Sequence, residues 1–158
     1  METYPTPELT YDLDEFGWAE MTIRIGSACS ELVVSYLTDP LRDICVSMMR
    51  LLRGSVYEFV CTTSEPTEFR LIFRRNLQLL QVQVLGFEDL YEPQPDECGW
   101  VEFQAECELS AFVQAVISLL DSILHRYGMK QYKKLWILEE FPLTELQELK
   151  QVFGQEQS

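Results

Sequence analysis

The stretch Leu109–Tyr127, LSAFVQAVISLLDSILHRY, constrains the fold more than any other. Its polar residues Gln114, Ser118, Asp121, Ser122 and His125 fall on one narrow stripe at helical spacing. The remaining surface is apolar: Leu109, Phe112, Val113, Val116, Ile117, Leu119, Leu120, Ile123, Leu124 and Tyr127. A helix with so wide an apolar face must lie deep against other apolar elements. Gly128 stands where a left-handed C-terminal cap is wanted, with His125 and Arg126 in the last turn, where cations suit the helix dipole. Ser110 is the expected N-cap.

A second helix is expected over Leu41–Arg53. Asp39-Pro40 opens it, since Asp can cap and Pro belongs at the first helical position. Leu41, Ile44, Cys45, Met48, Leu51 and Leu52 keep helical spacing, and Gly54 ends the element. Around these helices the period changes to two. Leu9–Leu13, Trp18–Ile25 and Glu31–Leu37 read as strands, the third more continuously apolar and so more central. Val56–Thr62, Phe69–Arg74, Leu79–Leu85 and Trp100–Cys107 follow, with Asn76 expected in a left-handed turn position. Met129–Phe141 is mixed, and Pro142 starts a short helix with Leu143, Leu146, Leu149 and Phe153 on one face. Short turns between consecutive strands imply antiparallel pairing. The expected architecture is α+β: a single antiparallel sheet of six or seven strands, two main helices packed on one face, and a short C-terminal helix. Residues 1–158 read as one domain, with a loose leader over 1–8 and a frayed tail over 154–158.

Composition narrows the function classes. Apolar residues make up 47% of the 158, enough for a core. There is no apolar run of about 18 residues, and METYPTPELTYDLDEF has neither a basic region nor an apolar one, so neither a membrane span nor a signal peptide is expected. Cys29, Cys45, Cys61, Cys98 and Cys107 are odd in number and irregularly spaced, which suits reduced thiols and a cytoplasmic setting. With 26 acidic residues against 12 basic ones, the net charge is −14. That argues against nucleic acid and anionic membranes as partners and permits a basic one.

No catalytic constellation emerges. The only histidine, His125, lies on the polar stripe of a helix. There is no zinc-ligand spacing, phosphate-binding glycine loop or calcium pattern. A non-enzyme without cofactors is therefore expected. Two other classes stay open: a small-molecule-binding or hydrolytic domain with pocket carboxylates, and a homo-oligomer paired through a strand edge. A pocket of buried carboxylates with strongly raised pKa values would favour the first.

Charge placement is more informative. From Asn76 to Leu124 there is no Lys or Arg. The connection 86–99, GFEDLYEPQPDECG, carries five acids. At about 14 residues it exceeds ordinary hairpin loops of about 2–5. Glu88, Asp89, Tyr91, Glu92, Asp96 and Glu97 on it, with Trp100, Glu102 and Glu106 just after it, form the expected partner-binding surface, aromatics beside charge being the material of binding hot spots. The basic Arg70, Arg74 and Arg75 are expected to balance nearby acids.

The element SYLTDPLRDI and the closing pattern YGMKQYKKLWILEEFPLTELQEL resemble those of small acidic bacterial immunity proteins of polymorphic and contact-dependent toxin systems, and of uncharacterised families of that kind. The likeness covers most of the chain in layout. It implies a role in blocking a basic partner, such as a toxin or nuclease domain, by a cytoplasmic monomer or weak dimer.

Overall fold

A computed structural model of the chain describes residues 3–14, 17–88 and 94–157. Strands β1 (Glu8–Leu13), β2 (Trp18–Ile25) and β3 (Ala28–Ser35) precede helix α1 (Pro40–Leu52). Then come β4 (Tyr57–Thr63), β5 (Glu68–Asn76), β6 (Leu79–Phe87) and β7 (Trp100–Glu108). Helices α2 (Leu109–Trp136) and α3 (Leu143–Gln157) complete the order.

The class is α+β, but the strands form two antiparallel sheets rather than one. One has the order β1-β2-β3 and the other β4-β5-β6-β7. Each is a meander of consecutive strands, joined by short turns except between β6 and β7. Helix α1 separates β3 from β4, and nothing in a crossover of that length obliges those two strands to bond. They meet only at a corner, where Ser35 Oγ and Thr63 Oγ1 share a buried hydrogen bond of 2.7 Å and Ser64 Oγ donates to the Val33 carbonyl. The strand expected to be central, β3, is an edge. It begins at Ala28, earlier than its apolar run suggests, and Val33 is exposed.

Helix α1 follows its pattern: Leu41, Ile44, Cys45, Met48, Leu51 and Leu52 are all buried. Pro40 occupies the first turn, and Asp39 is the N-cap residue without a side-chain capping bond. At the other end Gly54, with φ +111°, donates its N–H to Leu51 O and Ser55 donates to Arg50 O, the paired bonds of a Schellman cap.

Helix α2 places the stripe of Gln114, Ser118, Asp121, Ser122 and His125 outward and the apolar side inward. Its N-cap is Glu108, not Ser110. Gly128, at φ +73° and ψ 170°, breaks the helical backbone where an end is expected, but a further helical segment continues to Trp136 and buries Tyr132 and Trp136. By length and composition α2 could cross a membrane; its apolar side is occupied by the core. Two smaller expectations also change. Leu77, not Asn76, takes the left-handed position between β5 and β6, and α3 continues as far as Gln157, into the stretch expected to fray.

One continuous cluster joins both sheets and all three helices. Helix α1 lies on α3 and β4, while α2 runs along β1 and touches α1. A second, small cluster of Ile72, Leu85 and Phe87 is buried on the opposite face of the four-stranded sheet. Burial on both faces of β5 and β6 was not expected from their alternation, and its cause is the segment that returns over them.

Candidate functional site

Strand alternation places Tyr57, Phe59 and Cys61 of β4 beside Arg74, Ile72 and Arg70 of β5, on the face away from the helices. Next to them lie Gln83, Leu85 and Phe87 of β6. The 3-10 turn Asp96–Cys98, part of the long acidic connection, is tied onto this face. Arg70 donates to the Gln94 carbonyl at 3.0 Å and to Asp96 Oδ1 at 2.7 Å, and its other arm reaches Glu68 at 3.0 Å. Tyr57 donates to Asp96 Oδ2 at 2.7 Å, and Arg74 approaches it at 3.8 Å. The Arg70 guanidinium lies over the Phe87 ring, 4.3 Å from its centroid, and Arg74 over Tyr57 at 5.5 Å. Partial burial raises the Asp96 pKa, but the hydrogen bonds from Tyr57 and Arg70 and the two arginine charges outweigh it, so the carboxyl lies below its ordinary value. Burial and the Asp96 bond push Tyr57 up to about 12.

At the mouth of the connection Trp100 lies flat against Gly86. A Cβ at Gly86 would meet the indole at 2.3 Å, so only glycine allows the contact. Trp100 meets Phe69 edge-on at 6.4 Å, and its Nε1 donates to Glu102. A bulge between Val84 and Leu85 leaves Glu102 outside the ladder pairing. Trp100 stays 41% exposed, and Phe59 (52%) and Val101 (57%) are also open to solvent.

The expected partner-binding residues thus divide. Glu88, Glu97, Glu102 and Glu106 are exposed. Asp96 is taken up by Arg70, Arg74 and Tyr57. Asp89, Tyr91 and Glu92 lie outside the described residues. Arg70 and Arg74 do face acids, whereas Arg75 donates to the Leu51 and Leu77 carbonyls. Sequence reasoning missed Tyr57 and Phe59, although their period-two spacing with Cys61 was a usable signal.

A second constellation surrounds Asp39. The buried Tyr11 of β1 meets Trp136 of α2 edge-on at 6.0 Å, and Tyr132, one helical turn before Trp136, meets Phe141 at 5.4 Å. The Tyr11 and Tyr132 hydroxyls, Trp136 Nε1, Thr38 Oγ1, Asp39 Oδ1 and Glu145 Oε2 are buried and have no hydrogen-bond partner among the described residues. Desolvation and then the charge of Glu139 raise the Asp39 carboxyl to about 6, with the Arg42 backbone N–H pulling the other way. Burial, Glu145 and Asp39 push the Cys45 thiol up to about 12. Burial first, then Asp39 and Glu139, raise Tyr132; burial first, then Tyr132 and Asp39, raise Tyr11. Asp39 thus bears on Tyr11, Cys45 and Tyr132, and Glu139 bears on Asp39 and Tyr132.

Elsewhere a groove of about 670 Å³ runs between β1 and α2, lined by Leu9, Thr10, Ala111, Ala115 and Ser118 among others. All five cysteines are free, with Cys45 and Cys107 buried. His125 is exposed. Among the described residues, no group of three or more His, Cys, Asp or Glu side chains is placed to hold a metal ion. Comparison with known protein families, curated proteins and solved structures gives no match.

Proposed function

We propose that the chain is a non-catalytic protein-binding domain that docks a basic protein, in the manner of an immunity-type inhibitor blocking a toxin or nuclease domain. The observation that carries this reading is the Arg70–Asp96 tether of 2.7 Å, which fixes part of the acidic connection to the open face of the four-stranded sheet. Phe59 and Val101 are exposed on that face, and Glu88, Glu97, Trp100, Glu102 and Glu106 are exposed on the connection and on the edge strand β7 that follows it. Negative charge steers a positive partner, and aromatic groups that lose water on docking supply affinity that charge alone does not. Asp96 serves here as the anchor of the surface, while its neighbours meet the partner.

The test keeps Asp96 intact for that reason. A variant with Glu88, Asp89, Glu92 and Glu97 changed to Gln or Asn, and a separate Phe59→Ser variant, are compared with wild type in pull-downs. Each captured protein is then titrated at low and high salt. The charge variant should bind a basic protein more weakly and with a flatter salt dependence, and Phe59→Ser should weaken it at every salt concentration. Unchanged affinity and salt dependence for every partner would show that the surface is only a solvated hairpin.

A further inference from the structure

Strand β1 is an edge of the three-stranded sheet, and its alternation fixes which backbone groups point outward. Glu8, Thr10 and Asp12 turn their N–H and C=O groups toward β2. Asp14, next in that series, shows it by donating its N–H to the Trp18 carbonyl at 2.7 Å. Leu9, Tyr11 and Leu13 turn theirs the opposite way, and the Leu13 N–H accordingly goes to the Tyr127 hydroxyl of α2 at 3.0 Å. Pro7, next in the outward series, has no N–H to offer. The donors left open on this edge are therefore those of Leu9 and Tyr11. Among the described residues, neither their N–H groups nor their carbonyls have a hydrogen-bond partner. An open edge of this kind is a template for another strand.

Room for that strand lies directly beside the edge. The groove of about 670 Å³ has residues 6–12 on one wall and Ala111, Ala115, Ser118 and Ser122 of α2 on the other. Its volume is within the range of ligand sites. One end is closed, where Tyr127 holds Leu13 and Arg126 pairs with Asp12. We infer that this groove binds an extended segment of a partner protein, with apolar and basic residues in alternation, added antiparallel to β1 as a further strand of its sheet. In that pairing Leu9 and Tyr11 each exchange both backbone bonds with the residue opposite. Pro7 and the occupied Leu13 N–H limit the window at its two ends, so the register is set by the edge itself.

The side-chain chemistry of the segment follows from the two faces it would share. Residues opposite Leu9 and Tyr11 fall on the core side, against α2. Ala111 and Ala115 are half-buried there and short, which leaves space for β-branched apolar side chains. The residues between them fall on the solvent face with Glu8, Thr10 and Asp12. That face carries Glu8, Asp12, Glu20 and Glu31, all exposed, against Arg24 and the Arg126 that reaches Asp12. Basic side chains at those positions complement it, both directly across from the acids and diagonally.

A second copy of the chain fits the edge less well. Pairing Leu9 of one copy with Tyr11 of the other sets Glu8 opposite Asp12 on both sides of the two-fold axis, and like charges directly opposite are destabilising. It also brings together two chains that each carry a net charge of −14. The groove belongs to the three-stranded sheet and does not rest on the docking surface of the acidic connection, which is tied to the four-stranded one.

The experiment titrates the full chain into fluorescein-labelled Lys-Val-Lys-Val-Lys, capped at both ends, and follows anisotropy. Amide hydrogen exchange of Leu9 and Tyr11 is read by NMR with the unlabelled peptide. Saturable binding is expected, with exchange slowed at those two amides. Methylating the backbone nitrogens of both valines, which face β1, should weaken binding about tenfold. Methylating the central lysine nitrogen, which faces away, should change it by less than about threefold. Glu-Val-Glu-Val-Glu should bind more weakly by about tenfold. Ala115→Leu narrows the groove from α2 and should also weaken binding; the methylated peptides make the same test on wild type if that variant does not fold. Absence of saturable binding, equal effects of methylation at valine and lysine, or equal binding of the acidic peptide would overturn the proposal. So would a dimer of the free chain with Leu9 and Tyr11 already protected, since a second copy would then hold the edge. The variant with Glu88, Asp89, Glu92 and Glu97 changed should bind the peptide within a few-fold of wild type, so failure here and failure of the docking surface are read separately.

Discussion

Asp96 and Asp39 are the same residue in two opposite situations. Both are half-buried and both lie among tyrosines. Asp96 receives a tyrosine hydroxyl at 2.7 Å, an arginine at 2.7 Å and a second arginine at 3.8 Å, and its carboxyl is held below the ordinary range. At Asp39 desolvation and the charge of Glu139 outweigh the nearby Arg42, one oxygen has no hydrogen-bond partner among the described residues, and the carboxyl is raised to about 6. The difference is one of depth and of neighbours: desolvation is the largest cause at Asp39, whereas hydrogen bonds and arginine charges outweigh it at Asp96. Arg70 and Arg74, on one face of β5, meet Asp96 in the turn that lies over the sheet, whereas at Asp39 the charges of Glu139 and Asp43 oppose that of Arg42. A satisfied carboxylate fixes structure. An unsatisfied one costs stability whenever it is charged.

Placing a carboxylate where nothing can pair with it gives the upper limit of that contrast. Val116 on α2 is 0% exposed in the centre of the core, and Val116→Asp should abolish cooperative unfolding, since an unpartnered buried charge costs several times the effect of a lost surface contact. A sharp melting transition in that variant would mean that α2 is not central. Removing a partner from Asp96 comes next. Arg70→Ala leaves Asp96 and Glu68 without their main cation and strips the cover from Phe87. Breaking a partly buried pair of this kind should cost about 2–3 kcal/mol, somewhat less than for a fully buried one. Urea midpoints measure it. A loss no larger than that for an exposed pair would make the tether incidental and remove the support it gives the docking surface.

The two sites differ also in how far the sequence betrays them. Helices α1 and α2 were legible because helical spacing alone sets which side chains are buried, and Val116 and Leu120 are where the stripe puts them. The two meanders were legible for the same local reason. Their division into two sheets was not, because pairing across α1 depends on how the whole chain closes, and β3 carries enough apolar residues to pass for a central strand. Arg70 and Arg74 fall on one face of β5 by alternation, so a matching acid could be expected, though not that it would be Asp96, 26 positions away. Asp39 was hidden by a second, local role: before Pro40 it reads as a helix cap. Tyr132 and Trp136 were hidden because Gly128 does break the helix, and the segment after it is too short to show a period. The raised carboxyl of Asp39 therefore went unlocated in the sequence.

The smallest effect is the one that separates the sites most cleanly. Asp39 has a higher pKa in the folded chain than the ordinary 3.8, so the folded state binds the proton more tightly and stability falls as pH rises from about 4 to about 6. Above that window wild type carries the full penalty; below it both states are protonated and the penalty vanishes. Asp39→Asn removes the charge while keeping shape and N-cap chemistry. The variant should gain about 1 kcal/mol above pH 7, the full shift being reduced because solvent screens a half-exposed group. At about pH 4 it should match wild type. Asp96 is opposite in sign: its carboxyl is lowered, so its contribution is present above the ordinary 3.8 and is lost as pH falls through the folded value. Asp96→Asn should therefore destabilise at neutral pH and converge on wild type in acid. Melting temperatures of both variants across that range check the pair of signs. If Asp39→Asn is destabilising at neutral pH, its carboxylate has a cationic partner within the fold, and the contrast between the two aspartates fails.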